Sequence, residues 1–417
     1  MPSSVLDPPA PPELRRQWPP ALRLLLGEEA TGLWDAVLAT AGGRLARLRP
    51  MGTAVQPRGS ATVRYTAEVE WADGRRTRES LAAVTGARIP DGATVLEGRS
   101  GDDDDVTVGV WRWPLDPALP ALAWASRAAG ATERLAELGI AEGPLRMRLR
   151  SYRPGRRAVV EARSAAGSTY LKVVRPVAVH RLVERHAVLD GAVPVPPVLG
   201  STADGVVVLP GLPGTSMRDL VAGDGAGLPD AATLDALLDA LPAAAAAVTP
   251  VGRSRPGDAL GRVPDHATVL GLVLPELRPR LDRLRELLAA AEPGEHPEVP
   301  VHGDFYEAQV LVDAGAVVGL LDVDTVGRGH RIDDWATLLG HLVLLEAILP
   351  APATARRYGA ELLEAALRRW PATQLRPRIA AVLLGLATGP FRVLQANWAT
   401  ATVERVALAE RWAAPGG

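Results

Sequence analysis

The chain has 417 residues and a formal net charge of −2. This length allows two or three domains with cores of their own, and the near-zero charge argues against a protein that binds nucleic acid by neutralising phosphates. The absence of cysteine excludes disulfides, thiolate catalysis and cysteine-based metal sites. The sequence shows neither a secretion signal nor a bilayer-spanning run, so we expect a cytoplasmic protein without nucleic-acid or membrane partners.

The first third of the sequence predicts a mixed α and β unit. Residues 13–48 have a mainly helical pattern. The later elements are a strand at 63–71, strands at 94–97 and 106–113 around an acidic loop at 101–105, and a short helix at 127–138. We expect these elements to form an extra α+β domain over residues 1–143.

A second β-rich unit and a helical region follow. The predicted elements of this unit are strands at 145–152, 158–163, 169–174 and 205–209 and a helix at 179–189. From residue 230 onward the pattern is helical, except for short strands at 310–312 and 317–321. A faint repeat relates the two β-rich units, with Glu79 at the place of Lys172, although two unrelated hairpin units explain the pattern equally well.

Only one of the 46 basic residues, Lys172, is a lysine. It lies in an apolar and β-branched run, 168–174, that has the pattern of a strand. Arginine is a flat fork of fixed charge, whereas lysine offers a compact ammonium that fits between phosphate oxygens and a carboxylate. The pattern therefore favours a functional ammonium at Lys172, and the alternative is a solvated remnant in an arginine-rich composition.

The sharpest pattern is a pair of acidic segments near residue 300. Residues 300–312 read Pro-Val-His-Gly-Asp-Phe-Tyr-Glu-Ala-Gln-Val-Leu-Val, with Asp304 in a loop before a short hairpin. Residues 319–324 read Gly-Leu-Leu-Asp-Val-Asp, which places Asp322 at the exit of that hairpin. Phosphoryl transfer needs hard oxygen ligands for Mg²⁺ and a base near the acceptor hydroxyl. Two carboxylates on either side of a hairpin can supply both.

These two segments resemble the His-Gly-Asp catalytic loop and the Ile-Asp metal motif of the aminoglycoside phosphotransferase and choline kinase group, a branch of the protein-kinase-like fold. The match continues into residues 331–336, which resemble the group's Asp-Arg-x-x-Asp-Leu-Ala. The resemblance covers the chain from residue 145 onward. It implies an α+β, protein-kinase-like two-lobe fold preceded by the extra N-terminal domain, with a small β-rich lobe at 144–211 and a mostly helical lobe at 212–417.

The resemblance also implies the main chemical roles. Asp304 resembles the base that accepts the proton of the acceptor hydroxyl, and Asp322 resembles the acid that binds Mg²⁺ at the phosphates of ATP. Lys172 takes the position of the lysine that contacts the α and β phosphates. Glu184 resembles the helix glutamate that pairs with this lysine, and the alternative is a solvated acid on the helix surface.

Further cofactor contacts are implied by the same resemblance. Val208, Leu209 and Gly211 would form the hinge that faces adenine. The turn that covers the phosphates, residues 153–157, has one glycine instead of several. Arg156 in this turn can hold phosphate in place of backbone amides, although an ordinary arginine-rich hairpin tip has the same sequence.

Gln309 is the main departure from the group's pattern. Most members have asparagine there as the second metal ligand, whereas maltokinase-type sugar kinases have glutamine. We therefore expect Gln309 to serve as a metal ligand with Asp322, and Asp324 to be either a further ligand or an exposed acid. His302 is expected to be a structural hydrogen-bonding residue, and Asp334 to brace the catalytic loop.

The resemblance implies an ATP- and Mg²⁺-dependent kinase that acts on a hydroxyl of a small molecule, and we favour a sugar or a related metabolite. An aminoglycoside-type antibiotic kinase is the alternative within this class, although arginines outnumber acids in the helical region. A nucleotide-binding module without transfer activity is the alternative outside it. Four aromatic residues can form a stacking wall for a sugar or belong to the core: Trp335, Trp370, Phe391 and Trp398.

Overall fold

The computed structural model describes residues 9–99, 105–140, 143–248 and 255–414, so the expected acidic loop at 101–105 lies outside it except for its last residue. Two antiparallel five-stranded sheets precede a mostly helical region. No helix within the described ranges is long and apolar enough to cross a membrane. The expected α+β fold, with β-rich and helical parts in this order, is confirmed.

The first sheet belongs to the N-terminal region. Helices α1 to α3 span Pro12–Arg15, Pro20–Leu26 and Glu29–Ala39, and strands β1 to β5 span Gly43–Val55, Ala61–Trp71, Arg76–Thr85, Thr94–Arg99 and Asp105–Arg112. The strand order is β1-β2-β3-β5-β4. The helix expected up to residue 48 is wrong beyond Ala39. Leu45 and Leu48 are both buried on β1, and a bulge between them gives the three-residue spacing of a helix.

Two short helices link the sheets. Helix α4 spans Leu122–Ala125 and α5 spans Ala128–Glu137. Leu122 and Leu135 are buried in one cluster with Val160 and Leu171 of the second sheet. The segment just before residue 143 therefore contributes to the core of the second sheet.

The second sheet carries the lysine. Strands β6 to β10 span Arg146–Arg153, Arg157–Ser164, Gly167–Val174, Gly200–Thr202 and Val206–Pro210, and helix α6 spans Val179–Leu189. Their order, β6-β7-β8-β10-β9, repeats that of the first sheet, as the suspected internal repeat predicts. Lys172 lies on β8 between Val159 of β7 and Val207 of β10. Its side chain therefore extends from a central strand.

The helical region holds both acidic segments. Helices α7 to α15 span Met217–Ala222, Ala231–Asp239, Val263–Val273, Arg278–Ala289, Arg331–Ile348, Ala353–Leu367, Ala372–Leu386, Gly389–Arg392 and Trp398–Ala413. Strands β11 to β15 span Thr215–Ser216, Glu298–Val301, Val310–Asp313, Ala316–Leu320 and Gly327–His330. Asp304 follows β12, and Asp322 lies between β14 and β15. Because β12 pairs with β15, the two segments lie side by side.

The N-terminal region packs directly on the helical region. Trp18 lies against Phe391 and Trp398, with ring centroids 5.7 and 6.5 Å away, and its indole N–H donates to the carbonyl of Val273 at 2.9 Å. Trp335 is fully buried as well. Trp335, Phe391 and Trp398 therefore belong to the core, and Trp370 is half-buried and packs against it. The structure does not form a sugar-stacking wall from these four residues.

Candidate active site

The catalytic loop is held by hydrogen bonds to its backbone. Asp334, in the first turn of α11, is fully buried and accepts the N–H groups of His302 at 2.9 Å and Gly303 at 2.8 Å. The Nε2–H of His302 donates to the carbonyl of Leu321 at 2.9 Å, which ties the loop to the second acidic segment. These bonds agree with the structural roles expected for both residues, and they present Asp304 from a fixed backbone.

Asp304 has the environment of a general base. Its side chain is half-buried and lines a cavity beside the loop. Burial raises the pKa of Asp304, the electrostatic interaction with His302 lowers it, and the nearby carboxylate of Asp322 raises it again, with a net increase. A raised pKa makes a carboxylate a stronger proton acceptor, as transfer from a hydroxyl requires.

Asp322 and Asp324 form an acidic pair after β14. Asp322 has a φ of 52°, a left-handed backbone conformation that aspartate tolerates better than most residues. The 3-10 turn that begins next then places Asp324 beside it. Their side chains are 23% and 24% exposed, so both carboxylates reach the cleft.

Lys172 reaches this acidic pair from the second sheet. Its ammonium lies 2.9 Å from Asp322 Oδ1 and also donates to Asp324. Burial alone would lower the pKa of Lys172, but the two carboxylates outweigh burial and raise it. Burial would likewise raise the pKa of Asp322, but Lys172 and Arg157 hold it well below its usual range. The lysine expected at the phosphates thus meets two of the candidate metal ligands.

Arg157 is a further member of this cluster that the sequence reasoning missed. Its NH1 lies 3.2 Å from Asp322 Oδ1 and 3.1 Å from Asp324 Oδ2. The expected phosphate contact, Arg156, is exposed instead. Strand register carried the signal, because Arg157 lies two residues before the β7 partner of Lys172 and so shares its face of the sheet.

Glu184 does not join the cluster. It is exposed on α6, whereas Arg185 and His186 lie on the buried face of this helix. The ion pairs that the structure shows for Lys172 are those with the two aspartates. The expected lysine–glutamate pair is therefore not formed, because one residue along a helix turns the side chain by about 100°.

A cavity of about 620 Å³ adjoins Lys172 and Asp322, and this volume lies in the range of small-molecule sites. Leu209 lines it as expected for a hinge residue. Val208 does not line it, because its side chain is buried in the core of the second sheet, and Gly211 does not line it either. Of the three expected adenine contacts, the structure brings only Leu209 to the cavity.

The candidate metal ligands are Asp322, Asp324 and Gln309. Gln309 is 7% exposed, and its backbone carbonyl accepts the N–H of Leu321 at 2.8 Å, which places Gln309 next to the residue before Asp322. Within the described part of the chain, no group of three or more His, Asp or Glu forms a ready metal site. Mg²⁺ typically takes one or two carboxylates together with waters and substrate phosphates. The oxygen donors of this cluster fit that requirement.

The sequence of this region matches a known family. The family model described as phosphotransferase enzyme family, APH, matches residues 146–373, a little over half of the chain. The chain belongs to the APH phosphotransferase family. This membership confirms the expected family and enzyme class. The similarity to maltokinase-type enzymes within the group stays a prediction.

Solved structures of APH phosphotransferases resemble the chain. Thermostable aminoglycoside phosphotransferase APH(4)-Ia with ADP and hygromycin B is 16% identical, with 68% of this chain and 98% of that chain covered and a TM-score of 0.48. Macrolide 2'-phosphotransferase MphH from Brachybacterium faecium is 21% identical, with 70% and 98% covered and a TM-score of 0.41. The gentamicin complex of APH(2")-IIa is 12% identical, with 68% and 98% covered and a TM-score of 0.46. No curated protein sequence matches significantly.

A second cavity of the APH phosphotransferase, of about 150 Å³, is lined by Asp304. Arg262 and His266, at the start of α9, and His341 of α11 line it as well. Burial and the charge of Arg262 lower the pKa of His266, and burial lowers that of His341 to about 3, so both rings are neutral at pH 7. The sequence reasoning did not find this set, because its members are far apart in the chain and form no motif.

A polar cluster around one buried acid lies next to this cavity. Glu307 is fully buried, and its Oε1 lies 3.3 Å from Arg218 NH1. Its Oε2 lies 3.8 Å from His341 Nδ1 and has no hydrogen-bond partner in the described structure. Burial raises the pKa of Glu307 to about 7. Tyr306 stacks on His341 with ring centroids 4.1 Å apart. The sequence carried no signal for these contacts.

The turn before Arg157 is fixed by hydrogen bonds from other segments. Asp116 Oδ2 accepts the N–H of Gly155 at 2.7 Å and the hydroxyl of Tyr152 at 2.9 Å. The Nε of Arg175 donates to the carbonyl of Gly155 at 3.1 Å. The turn is thereby held through both the N–H and the carbonyl of its one glycine, Gly155. This fixes the backbone just before Arg157, which reaches the cleft.

Proposed function

We propose that the protein transfers the γ-phosphate of ATP, with Mg²⁺, to a hydroxyl of a small, sugar-like molecule. The observation that supports this most is the meeting of Lys172 with Asp322 and Asp324 at the 620 Å³ cavity, close to Asp304. Phosphoryl transfer depends mainly on positioning and on charge stabilisation. These four side chains supply the charges that such a step requires.

The nucleotide end of the site would use the charged cluster. Lys172 and Arg157 would contact phosphate oxygens, the ammonium as a point charge and the guanidinium through two N–H groups at once. Asp322, with Asp324 and Gln309, would hold Mg²⁺, which neutralises charge on the phosphates when it is bound. In the structure the two cations and two carboxylates already satisfy one another.

The acceptor end of the site would use Asp304. Its carboxylate would take the proton of the acceptor hydroxyl as the oxygen attacks the γ-phosphorus, and ADP would leave. The raised pKa of Asp304 favours this proton transfer. The cavity of about 150 Å³ beside Asp304 would hold the acceptor.

The charge of this cavity favours an acceptor that is not a polycation. Asp304 is the only acid among the described residues that line it, and Arg262 adds a positive charge. His266 and His341 are neutral and can exchange hydrogen bonds with hydroxyl groups. A polycationic antibiotic would need several carboxylates in this position, whereas a sugar would not.

Acceptor-dependent ATP turnover tests the proposal. D-glucose and maltose are neutral sugars of two sizes, whereas D-glucosamine carries one ammonium group and kanamycin carries several. We expect turnover with a neutral sugar that exceeds turnover with either amine. Asp304→Asn should abolish it, whereas Asp313→Asn, at an exposed position, should not. A preference for kanamycin would refute the sugar assignment. Nucleotide binding without turnover with any acceptor would favour a binding module.

A further inference from the structure

The transfer step described above does not use the polar cluster of Arg218, Glu307, Tyr306 and His341, in which Glu307 is fully buried and Arg218 is exposed. A buried polar atom without a partner costs about 1–3 kcal/mol, and native proteins retain few of them. Glu307 Oε2 is such an atom in the described structure. One member of the cluster, His341, lines the same cavity as Asp304. The cluster is therefore connected to the place where the acceptor would bind.

The contacts of His341 fix the orientation of its ring. Nδ1 faces Glu307 Oε2, and Tyr306 covers one ring face at an interplanar angle of 24°. The two imidazole nitrogens point in different directions, so Nε2 is the nitrogen left for the cavity. Glu307 Oε2 lies opposite Nδ1 and has no other hydrogen-bond partner in the described structure, so Nδ1 is the nitrogen that donates. An imidazole that carries its proton on Nδ1 has a lone pair on Nε2, which makes that atom a hydrogen-bond acceptor.

We propose that His341 is a specificity-determining residue of the acceptor cavity, and that its Nε2 accepts a hydrogen bond from an acceptor hydroxyl other than the one that reacts at Asp304. Glu307 is the positioning residue that holds the ring from the opposite side. The gap of 3.8 Å between Glu307 and His341 closes when the acceptor is bound, as contacts in empty sites commonly tighten.

This assignment defines the substrate class more narrowly. An acceptor that meets Asp304 and His341 at once carries at least two hydroxyl groups, as sugars and other polyols do. A simple alcohol or an amino alcohol with one hydroxyl would lose the second contact. The inference rests on the proposed kinase activity and adds a requirement that the activity itself does not impose.

Two substitutions of similar size separate a binding role of His341 from a structural one. His341→Gln places an amide near the position of Nε2, so it keeps a group for the acceptor and loses the one that faces Glu307. His341→Asn places its amide near Nδ1 and does the reverse. We expect His341→Asn to raise the KM for D-glucose about tenfold, the loss of one hydrogen bond, with the KM for ATP unchanged. His341→Gln should stay within about threefold of the unsubstituted protein.

Monodeoxy analogues of D-glucose complete the test. The analogue that lacks the hydroxyl contacted by His341 should bind the unsubstituted protein about tenfold more weakly than D-glucose does. His341→Asn should not weaken the binding of this analogue further, because the hydrogen bond to His341 is already absent. Calorimetric titration with D-glucose gives this comparison even without turnover. Equal effects of the two His341 substitutions, or a shared rise in the KM for ATP, would overturn the inference. Failure of the kinase proposal can be told apart from failure of this inference, because in that case no acceptor would raise ATP turnover in the unsubstituted protein.

Discussion

Asp334→Asn removes one of the two carboxylate oxygens that hold the catalytic loop. In the structure these oxygens accept the N–H groups of His302 and Gly303 at 2.9 and 2.8 Å. Asparagine keeps one acceptor and places an NH₂ group against the other N–H. A hydrogen bond to a charged group contributes about 1.5–3 kcal/mol, and a buried N–H without a partner adds a cost of about 1–3 kcal/mol.

Part of this loss is offset, because a neutral amide is easier to bury than the carboxylate. Burial raises the pKa of Asp334, which shows that the site disfavours the charged form. We therefore expect the free energy of unfolding to fall by about 3 kcal/mol rather than by the full sum. Amide hydrogen exchange at His302 and Gly303 should accelerate about a hundredfold.

Urea unfolding and amide exchange measure the two effects separately. Asp313→Asn is the matched control, because Asp313 is exposed at the end of β13. The ATP turnover of Asp334→Asn should also fall, since Asp304 follows the released loop directly. Lost turnover with unchanged stability and unchanged exchange at His302 would refute the bracing role and give Asp334 a part in the chemistry.

Three further predictions follow from the same geometry. Lys172→Arg keeps the charge but not the compact ammonium, so ATP turnover should fall at least about tenfold, and unchanged turnover would remove Lys172 from the site. Burial and Arg218 lower the pKa of His341 to about 3, so its contribution to stability is present above the unfolded-state pKa and is lost as the pH falls. Between pH 7 and pH 5 the unfolding free energy should therefore decline by about 2 kcal/mol relative to His341→Gln, and parallel pH curves would contradict this. Asp116→Asn weakens the hold on Gly155 and should raise the KM for ATP with little effect on the acceptor KM, which initial-rate kinetics can check.

Motifs with fixed local spacing were predictable. Asp304 and Asp322 were recognised because the two segments that carry them resemble motifs of the phosphotransferase group in order and spacing. Lys172 was recognised because it is the only lysine and lies in a clear strand pattern. The suspected repeat also agrees with the identical strand order of the two sheets.

Predictions that depend on which face of a strand or helix a residue occupies were less successful. Residues 43–48 were expected to be helical, and the bulge in β1 produced that pattern. Arg156 was chosen over Arg157, and Glu184 over its inward-facing neighbours, because each choice turns on one residue of register. A shift by one residue moves a strand side chain to the opposite face and rotates a helical one by about 100°.

The sequence by itself determined the family, the order of the β-rich and helical parts, and the acidic residues that the motifs carry. Only the tertiary structure brought Arg157 to the acidic pair and placed Glu307 behind His341. These residues come from separate strands, turns and helices, and their meeting depends on how those elements pack. Motif spacing is set by local chain geometry, whereas such contacts are set by burial and pairing over distances that no local pattern records.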